Sequence, residues 1–278
     1  MVRRLMIGVA AAALLATGCA TNIPEVPALS DSGSWIHGKV VWHDLVTPNL
    51  DGAKSFYGGL FGWTFDDASD DYTVVKNGGR LIGGMAQLQS ADYSSYWLPL
   101  MSVGDVDRAV DATVAAGGDR LVKSFNVPGR GRVGVLKDPR GAAFGVVKTT
   151  QGDPVDRIPA AGDWWWNEVW TDDVEASGGF YQETFGYDLK EETVAGVEHA
   201  LLTTGAVPRV GLVKKSDPKI PNVWVAYVRV ADVEATVSKA RTLGGTVLLA
   251  PTAEVRNGTV AIIADPHGAG FVVQEVNR

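Results

Sequence analysis

Two carboxylates sit in matching aromatic surroundings. Asp44 lies in Val41-Trp42-His43-Asp44-Leu45-Val46, and Glu168 lies in Trp165-Trp166-Asn167-Glu168-Val169-Trp170, an offset of 124. Side chains alternate along a strand, so Trp42 and Asp44 share one face, as do Trp166, Glu168 and Trp170. Carboxylates in a poorly hydrated aromatic hollow can act as an acid/base pair, one raising the other's pKa and sharing a proton. They can also anchor a cationic or hydroxyl-bearing ligand. A plainer role fits the same residues: each carboxylate caps local backbone or pairs with an arginine across an interface, and the indoles fill space or stack on a planar ligand. Asp44 and Glu168 are therefore the candidates for catalysis. Trp42, Asp44, Trp166, Glu168 and Trp170 are the candidates for binding a ligand.

Other chemistry has less to stand on. His37, His43, His199 and His267 lack the spacing of a metal site. His43, one step out of phase with Trp42 and Asp44, should point beneath the following helix as a packed, hydrogen-bonded ring. His199 is the histidine to inspect on the hollow's side, and Asp44, Glu168 and His199 are the ligands left to an unusual metal site. Pro128-Gly129-Arg130-Gly131-Arg132-Val133 runs into a strand and not a helix, so it cannot cradle a pyrophosphate. A Gly-x-Ser-x-Gly elbow is absent. With a net charge of -7 and no basic stripe, a nucleic-acid partner is disfavoured.

The elements that must place these residues come in two copies. Residues from Val41 alternate as a strand, and the pattern switches to a helical period at Asn49, which caps a helix ending at Phe61-Gly62-Trp63. Gly58 and Gly59 weaken that helix by roughly 1 kcal/mol each, so packing must hold it. Trp166, Phe180-Tyr181 and Tyr187 repeat Trp42, Phe56-Tyr57 and Trp63 at the same offset of 124. Later, Gly117-Gly118 matches Gly244-Gly245, and Asp138-Pro139-Arg140-Gly141 matches Asp265-Pro266-His267-Gly268, at 127. The change places a three-residue insertion in the middle strands of the second copy. Asn257-Gly258, a hairpin signal, stands where Arg130-Gly131 stands in the first. Strands outnumber helices in a β-α-β-β-β order repeated within each copy, an α+β arrangement. The copies span 36–150 and 163–278, joined by a Gly/Pro linker at 151–162.

The N-terminus reads as an export signal over residues 1–18: Arg3 and Arg4, a short apolar run, then small residues. Ala16-Thr17-Gly18-Cys19 resembles a bacterial lipobox, which would make Cys19 the lipidated first residue of the mature chain and residues 19–35 a tether. The expectation is a protein of the cell envelope, anchored to the outer membrane and facing the periplasm. With its single cysteine consumed there, the folded part has no thiol chemistry.

Phe-Tyr-x-x-x-Phe-Gly-(Trp/Tyr), the helices ending in Gly-Gly and the paired Asp-Pro-x-Gly turns together resemble the vicinal oxygen chelate superfamily of glyoxalases, bleomycin-resistance proteins and extradiol dioxygenases. The two-module actinobacterial-antigen-like proteins, with Trp-x-(Asp/Glu)-Leu in strand one, are the most similar subgroup. The resemblance implies duplicated βαβββ modules forming two half-open barrel domains, each with a hollow that holds a divalent metal. Its first ligand would fall at Trp42 and Trp166, and its last at Gly145 and Val272. The middle one would fall near Gly83-Gly84-Met85 and Thr204-Gly205-Ala206. An indole has no lone pair for a metal, so no cofactor is expected. The function implied is a glyoxalase-like lipoprotein that binds a small amphipathic or aromatic molecule. A divergent metal-dependent lyase or dioxygenase and a non-catalytic structural or interaction module are the alternatives.

Overall fold

The computed structural model describes residues 23–88, 94–194 and 197–276; the signal stretch and Cys19 lie outside them. Module one runs β1 (Val40–Thr47), α1 (Leu50–Phe61), β2 (Thr64–Ser69), β3 (Tyr72–Asn77), β4 (Arg80–Gln87), β5 (Tyr96–Ser102), α2 (Val106–Ala115), β6 (Asp119–Val127), β7 (Gly131–Lys137) and β8 (Ala143–Thr149). Module two repeats it as β9 (Trp164–Thr171), α3 (Val174–Phe185), β10 (Asp188–Val194), β11 (Val197–Thr204), β12 (Val207–Lys214), β13 (Val223–Val230), α4 (Val233–Thr242), β14 (Thr246–Leu249), β15 (Val260–Ala264) and β16 (Gly270–Glu275).

Each module is two βαβββ units sharing one eight-stranded sheet, in the orders β2-β3-β4-β1-β5-β8-β7-β6 and β10-β11-β12-β9-β13-β16-β15-β14. The first strands of the two units pair antiparallel at the centre, β1 with β5 and β9 with β13. Both sheets stay open at their edges rather than closing into barrels, so the duplicated βαβββ fold is present and each half-barrel is a cup. The three-residue insertion lies between β10 and β11: Thr64 corresponds to Asp188 at 124, and Asn77 to Thr204 at 127.

The four α-helices among the described residues start where a polar side chain accepts a backbone N–H: Asn49 from Gly52, Asp105 from Arg108, Asp173 from Ala176 and Asp232 from Ala235. Helices α1 and α3 stop at Gly62 and Gly186, whose φ angles of 74° and 67° are left-handed. All four lie between the two sheets, and the apolar cores are shared across the modules. Leu45, Phe56, Tyr57 and Met85 pack with Val233, Val237, Ile263 and Phe271, while Val106, Val110 and Phe144 pack with Tyr181, Leu202 and Leu212. The helix-weakening Gly59 has its reason here, since a Cβ on it would sit 2.9 Å from Leu243.

The motifs that marked the duplication also work at this seam. Trp97 donates to the Tyr57 hydroxyl at 2.8 Å, and Tyr57 donates to Asp265 of module two at 3.3 Å. In the reciprocal relay, Trp224 donates to Tyr181 at 2.8 Å and Tyr181 to Asp138 of module one at 2.9 Å. Burial pushes both aspartates up despite backbone N–H groups on each, and pushes both phenols up, so the tyrosines remain donors.

Two local expectations change. Asn257-Gly258 does not close a two-residue hairpin: β14 ends at Leu249, and the chain passes Pro251 before a 3-10 turn at Arg256–Gly258. A proline cannot donate to a sheet ladder, so pairing stops and a longer loop forms. The strand matching Gly83-Gly84-Met85 is Val210-Gly211-Leu212, not Thr204-Gly205-Ala206, because the insertion has already shifted the offset to 127.

Candidate functional site

His43 and Asn167 fix how the two cups are oriented. They occupy equivalent positions of β1 and β9, face the seam, and join side chain to side chain at 2.8 Å. Their neighbours Asp44 and Glu168 must therefore point away from the seam, into separate cups on opposite sides. No hydrogen bond joins these carboxylates, and the shared-proton pair is not formed. Nor does an arginine reach either one across the seam: each cup supplies its own.

In cup one, the Asp44 Oδ1 accepts from the Trp42 indole at 2.8 Å and the Tyr72 hydroxyl at 2.7 Å. Arg130, from the turn between β6 and β7, donates to the Tyr72 hydroxyl at 2.7 Å and lies 3.9 Å from Asp44. Its guanidinium stacks over Trp42, 4.1 Å from the ring centre. Burial pushes the Tyr72 phenol up, against the opposing pull of Arg130, so it stays protonated. Gly84 faces Asp44 across the ladder, and a Cβ there would lie 2.0 Å from the Tyr72 hydroxyl.

In cup two, the same four groups are assembled from different places. Glu168 accepts from the Trp170 indole at 2.9 Å, from Arg256 at 2.6 Å and from the Tyr227 hydroxyl. Tyr227 stands on β13 where module one has Leu100, whereas His199 stands where module one has Tyr72. His199 does share the cup face and the row of Trp170 through Val213, but Glu168 takes its phenol from the other side. Burial and the Glu168 charge push Tyr227 up, which keeps it a donor. Gly211 clears the carboxylate as Gly84 does, with a Cβ 2.9 Å from Glu168 Cγ. Arg256 holds φ at 46°, a left-handed angle uncommon for a side-chain-bearing residue, while reaching Glu168.

The cups differ most in what covers them. Cup one is lined by Trp42, Leu98, Leu100, Val133, Val135 and Val147, and Val26 and Leu29 of the N-terminal segment pack into it. Val26 donates its backbone N–H to Pro128 at 3.0 Å, and only glycine fits at 129, where a Cβ would meet the Val26 carbonyl at 1.8 Å. Farther on, Gly33 bonds Gln151, and Ile36 N–H bonds Asp153 at 2.6 Å. So residues 23–35 lie along module one. In cup two the apolar cluster is Val225, Tyr227, Val260 and Val272, with Trp166, Trp170 and Ile262 only partly buried around it.

A divalent metal of the kind held by this class of cup finds no ligand set here. The first-ligand positions are indoles, Gly84 and Gly211 stand beside the carboxylates, and the last positions are Gly145 and Val272. Asp44 is committed to indole and phenol donors with Arg130 3.9 Å away, and Glu168 to indole, phenol and guanidinium donors. Among the described residues, no three His, Cys, Asp or Glu side chains group as metal ligands. The alternative set of Asp44, Glu168 and His199 is split between the two cups.

A duplicated, half-open βαβββ cup with this chemistry defines a class, and the sequence comparison agrees. The chain belongs to the glyoxalase/bleomycin resistance protein/dioxygenase superfamily, whose model matches residues 39–146 and 166–273. It is 31% identical over 241 residues to the putative glyoxylase CFP32 of Mycobacterium bovis, covering 84% of this chain and 92% of that one. To the anthracycline biosynthesis protein DauV of Streptomyces sp. strain C5 it is 32% identical over 276 residues, covering 87% and 94%. Among solved structures, the Mn(II)-bound glyoxalase of Novosphingobium aromaticivorans matches with a TM-score of 0.61 at 12% identity, over 86% of this chain and 82% of that one. Homoprotocatechuate 2,3-dioxygenase of B. fuscum matches at 0.59 and 17%, over 92% and 75%. These likenesses carry the fold.

Sequence reasoning placed both carboxylates and the indoles on the cup faces but missed Tyr72, Arg130, Tyr227 and Arg256. One signal was available: Arg130 and Arg256 stand at corresponding turns, each beside a glycine-containing break, facing strands whose inward carboxylates need a cation.

Proposed function

We propose that this chain binds a small amphipathic or aromatic molecule in cup two and does so without a metal. Trp166, Trp170 and Tyr227 offer ring surfaces, and Glu168 with Arg256 offers a charged pair that orients a polar group of the ligand. The observation that carries the reading is the state of Glu168: its side chain is only 4% exposed and is saturated by protein donors, while its partner Arg256 stays 42% exposed at the rim. Arg256 is thus the movable group, able to turn from Glu168 toward an incoming carbonyl or hydroxyl. The relatives named for anthracycline biosynthesis fit an aromatic ligand.

We further place the protein in the two-module actinobacterial-antigen-like subgroup, exported and lipidated at Cys19 in the cell envelope. The signal-like N-terminus supports this reading, and mass spectrometry of the membrane-extracted protein tests it: an acylated Cys19 at the mature N-terminus supports it, and an unmodified Cys19 refutes it.

The binding reading is tested by titrating the purified chain with a panel of neutral fused-ring ketones and quinones, reading tryptophan fluorescence and calorimetric heat, alongside elemental analysis. Saturable binding that is lost in Trp170→Ala and weakened in Arg256→Gln, on protein free of stoichiometric metal, is the result expected. Near-stoichiometric Fe, Mn, Ni or Zn that the chain needs for turnover would instead make it a divergent lyase or dioxygenase.

A further inference from the structure

A second hollow opens at the seam, sharing only Leu29 and Trp166 with the groups already placed in the cups. Where the modules meet under the linker, a cleft of about 520 Å³ opens, with His43, Asn167 and the Trp164-Trp165-Trp166 run along it. That volume is in the range that holds a small organic ligand. Its apolar wall includes Val41, Leu81, Ile82 and Pro208, and Trp165 is 36% exposed.

The charges around the cleft do not cancel. Lys39, Arg80, Arg157 and Arg209 line it against Asp156 and Asp163. Each carboxylate is shared by two cations: Asp156 by Lys39 and Arg209, both at 2.9 Å, and Asp163 by Arg80 and Arg157, both at 2.9 Å. Each group of three keeps one positive charge over, and His43 does not change the count, because burial holds its ring neutral, down to about 4, against the opposing Asn167 hydrogen bond.

Two buried polar atoms on lining residues also lack partners. Arg209 is 10% exposed and spends Nη1 on both Asp156 oxygens, which leaves its buried Nε–H without an acceptor. His43, 3% exposed, gives its Nε2 proton to Asn167, leaving the Nδ1 lone pair without a donor. The unpaired Arg209 Nε–H belongs to one of the groups that carry the surplus positive charge.

We infer that this cleft is a separate binding site for a small amphipathic anion, an aromatic or cyclic carboxylate. The carboxylate answers the cation surplus around Asp156 and Asp163, and the ring lies against Trp164 and the half-exposed Trp165. The site goes beyond the cup reading, and it exists only where both modules and the linker come together.

The test uses 6-hydroxy-2-naphthoate and its neutral amide, 6-hydroxy-2-naphthamide, titrated calorimetrically into the full chain. Arg80→Gln and Arg157→Gln each remove a cation whose side chain is 44% or 42% exposed, so the fold tolerates both. Each is expected to weaken naphthoate binding about fivefold. Raising the salt from about 0.02 M to about 0.2 M should weaken the naphthoate and spare the amide. The component of naphthoate binding that is sensitive to salt and to Arg80 and Arg157 should persist in Trp170→Ala, which separates this site from the cup. The inference is overturned if the naphthoate does not bind, if it binds no tighter than the amide, or if its affinity ignores Arg80 and Arg157 and is lost with Trp170.

Discussion

Cup one and cup two hold the same four groups, an indole, a phenol, a guanidinium and a carboxylate, yet one is sealed and the other is not. In cup one the guanidinium of Arg130 is 3% exposed and the carboxylate of Asp44 18%. In cup two the exposure is reversed, with Arg256 at 42% and Glu168 at 4%. The difference follows from what lies on top. Val26 and Leu29 fill the first cup as an intramolecular occupant, and its polar centre has become part of a core. The second has no such occupant among the described residues and keeps its cation at the rim. Duplication thus supplied two copies of one scaffold, and the copies diverged by covering one hollow.

Breaking the cover should give the largest effect. Val26→Asp places an unpaired charge among Trp42, Leu98 and Val135, which costs several kcal/mol if the segment stays docked. The segment should therefore release, and limited proteolysis should cut it far faster than in the native chain. Unchanged protection would mean that the segment does not depend on cup one.

Next come the paired arginines. Arg130→Met leaves Asp44 in a sealed cup without its cation and should cost about 3 kcal/mol of stability in urea unfolding. Arg256→Met removes a half-exposed partner whose place at the rim water can take while Trp170 and Tyr227 still donate to Glu168, and should cost about 1 kcal/mol. Equal losses would erase the distinction between the cups. The glycines beside the carboxylates should follow the same order. Gly84→Ala meets the Tyr72 hydroxyl at 2.0 Å, whereas Gly211→Ala meets Glu168 Cγ at 2.9 Å. Overpacking of this kind costs about 1–3 kcal/mol, with Gly84→Ala at the upper end and Gly211→Ala at the lower.

The seam on which the cups stand back to back adds a dependence on pH. His43 has its pKa depressed by burial to about 4, against an ordinary value of 6.5. Below pH 6.5 the unfolded chain binds a proton that the folded chain refuses, so stability falls with pH between 6.5 and 4, by at most about 3 kcal/mol. His43→Gln keeps a donor for Asn167 but cannot titrate. Its unfolding free energy should fall less over that window than the native chain's, and identical slopes would show that His43 is not held neutral.

Much of this was readable in the sequence, for reasons that also explain what was not. The offsets from Trp42 to Trp166 and from Asp138 to Asp265 exposed the duplication because bulky residues and turns are fixed by packing. Strand alternation put Trp42 and Asp44 on the cup face and His43 on the other, which is where they lie. Local patterns could not give Arg130 to Asp44, because the partner arrives from a turn far along the chain. Tyr227 standing in for the role of Tyr72 was hidden too, since the two occupy different strands. The N-terminal segment has a tether's composition, with Pro24, Pro27, Ser32 and Gly33. Its docking depends on Gly129 and Gly152, whose missing side chains let another backbone approach.

The difference in cover between the two cups is tested most directly by thiol labelling at equivalent cup positions in a chain carrying Cys19→Ser. Val135→Cys sits in cup one, where the native residue is 2% exposed, and Ile262→Cys sits in cup two, where it is partly buried. Ile262→Cys should react readily with a small alkylating reagent, while Val135→Cys should stay protected until Val26→Asp is added. Equal labelling of the two cysteines with Val26 intact would contradict it.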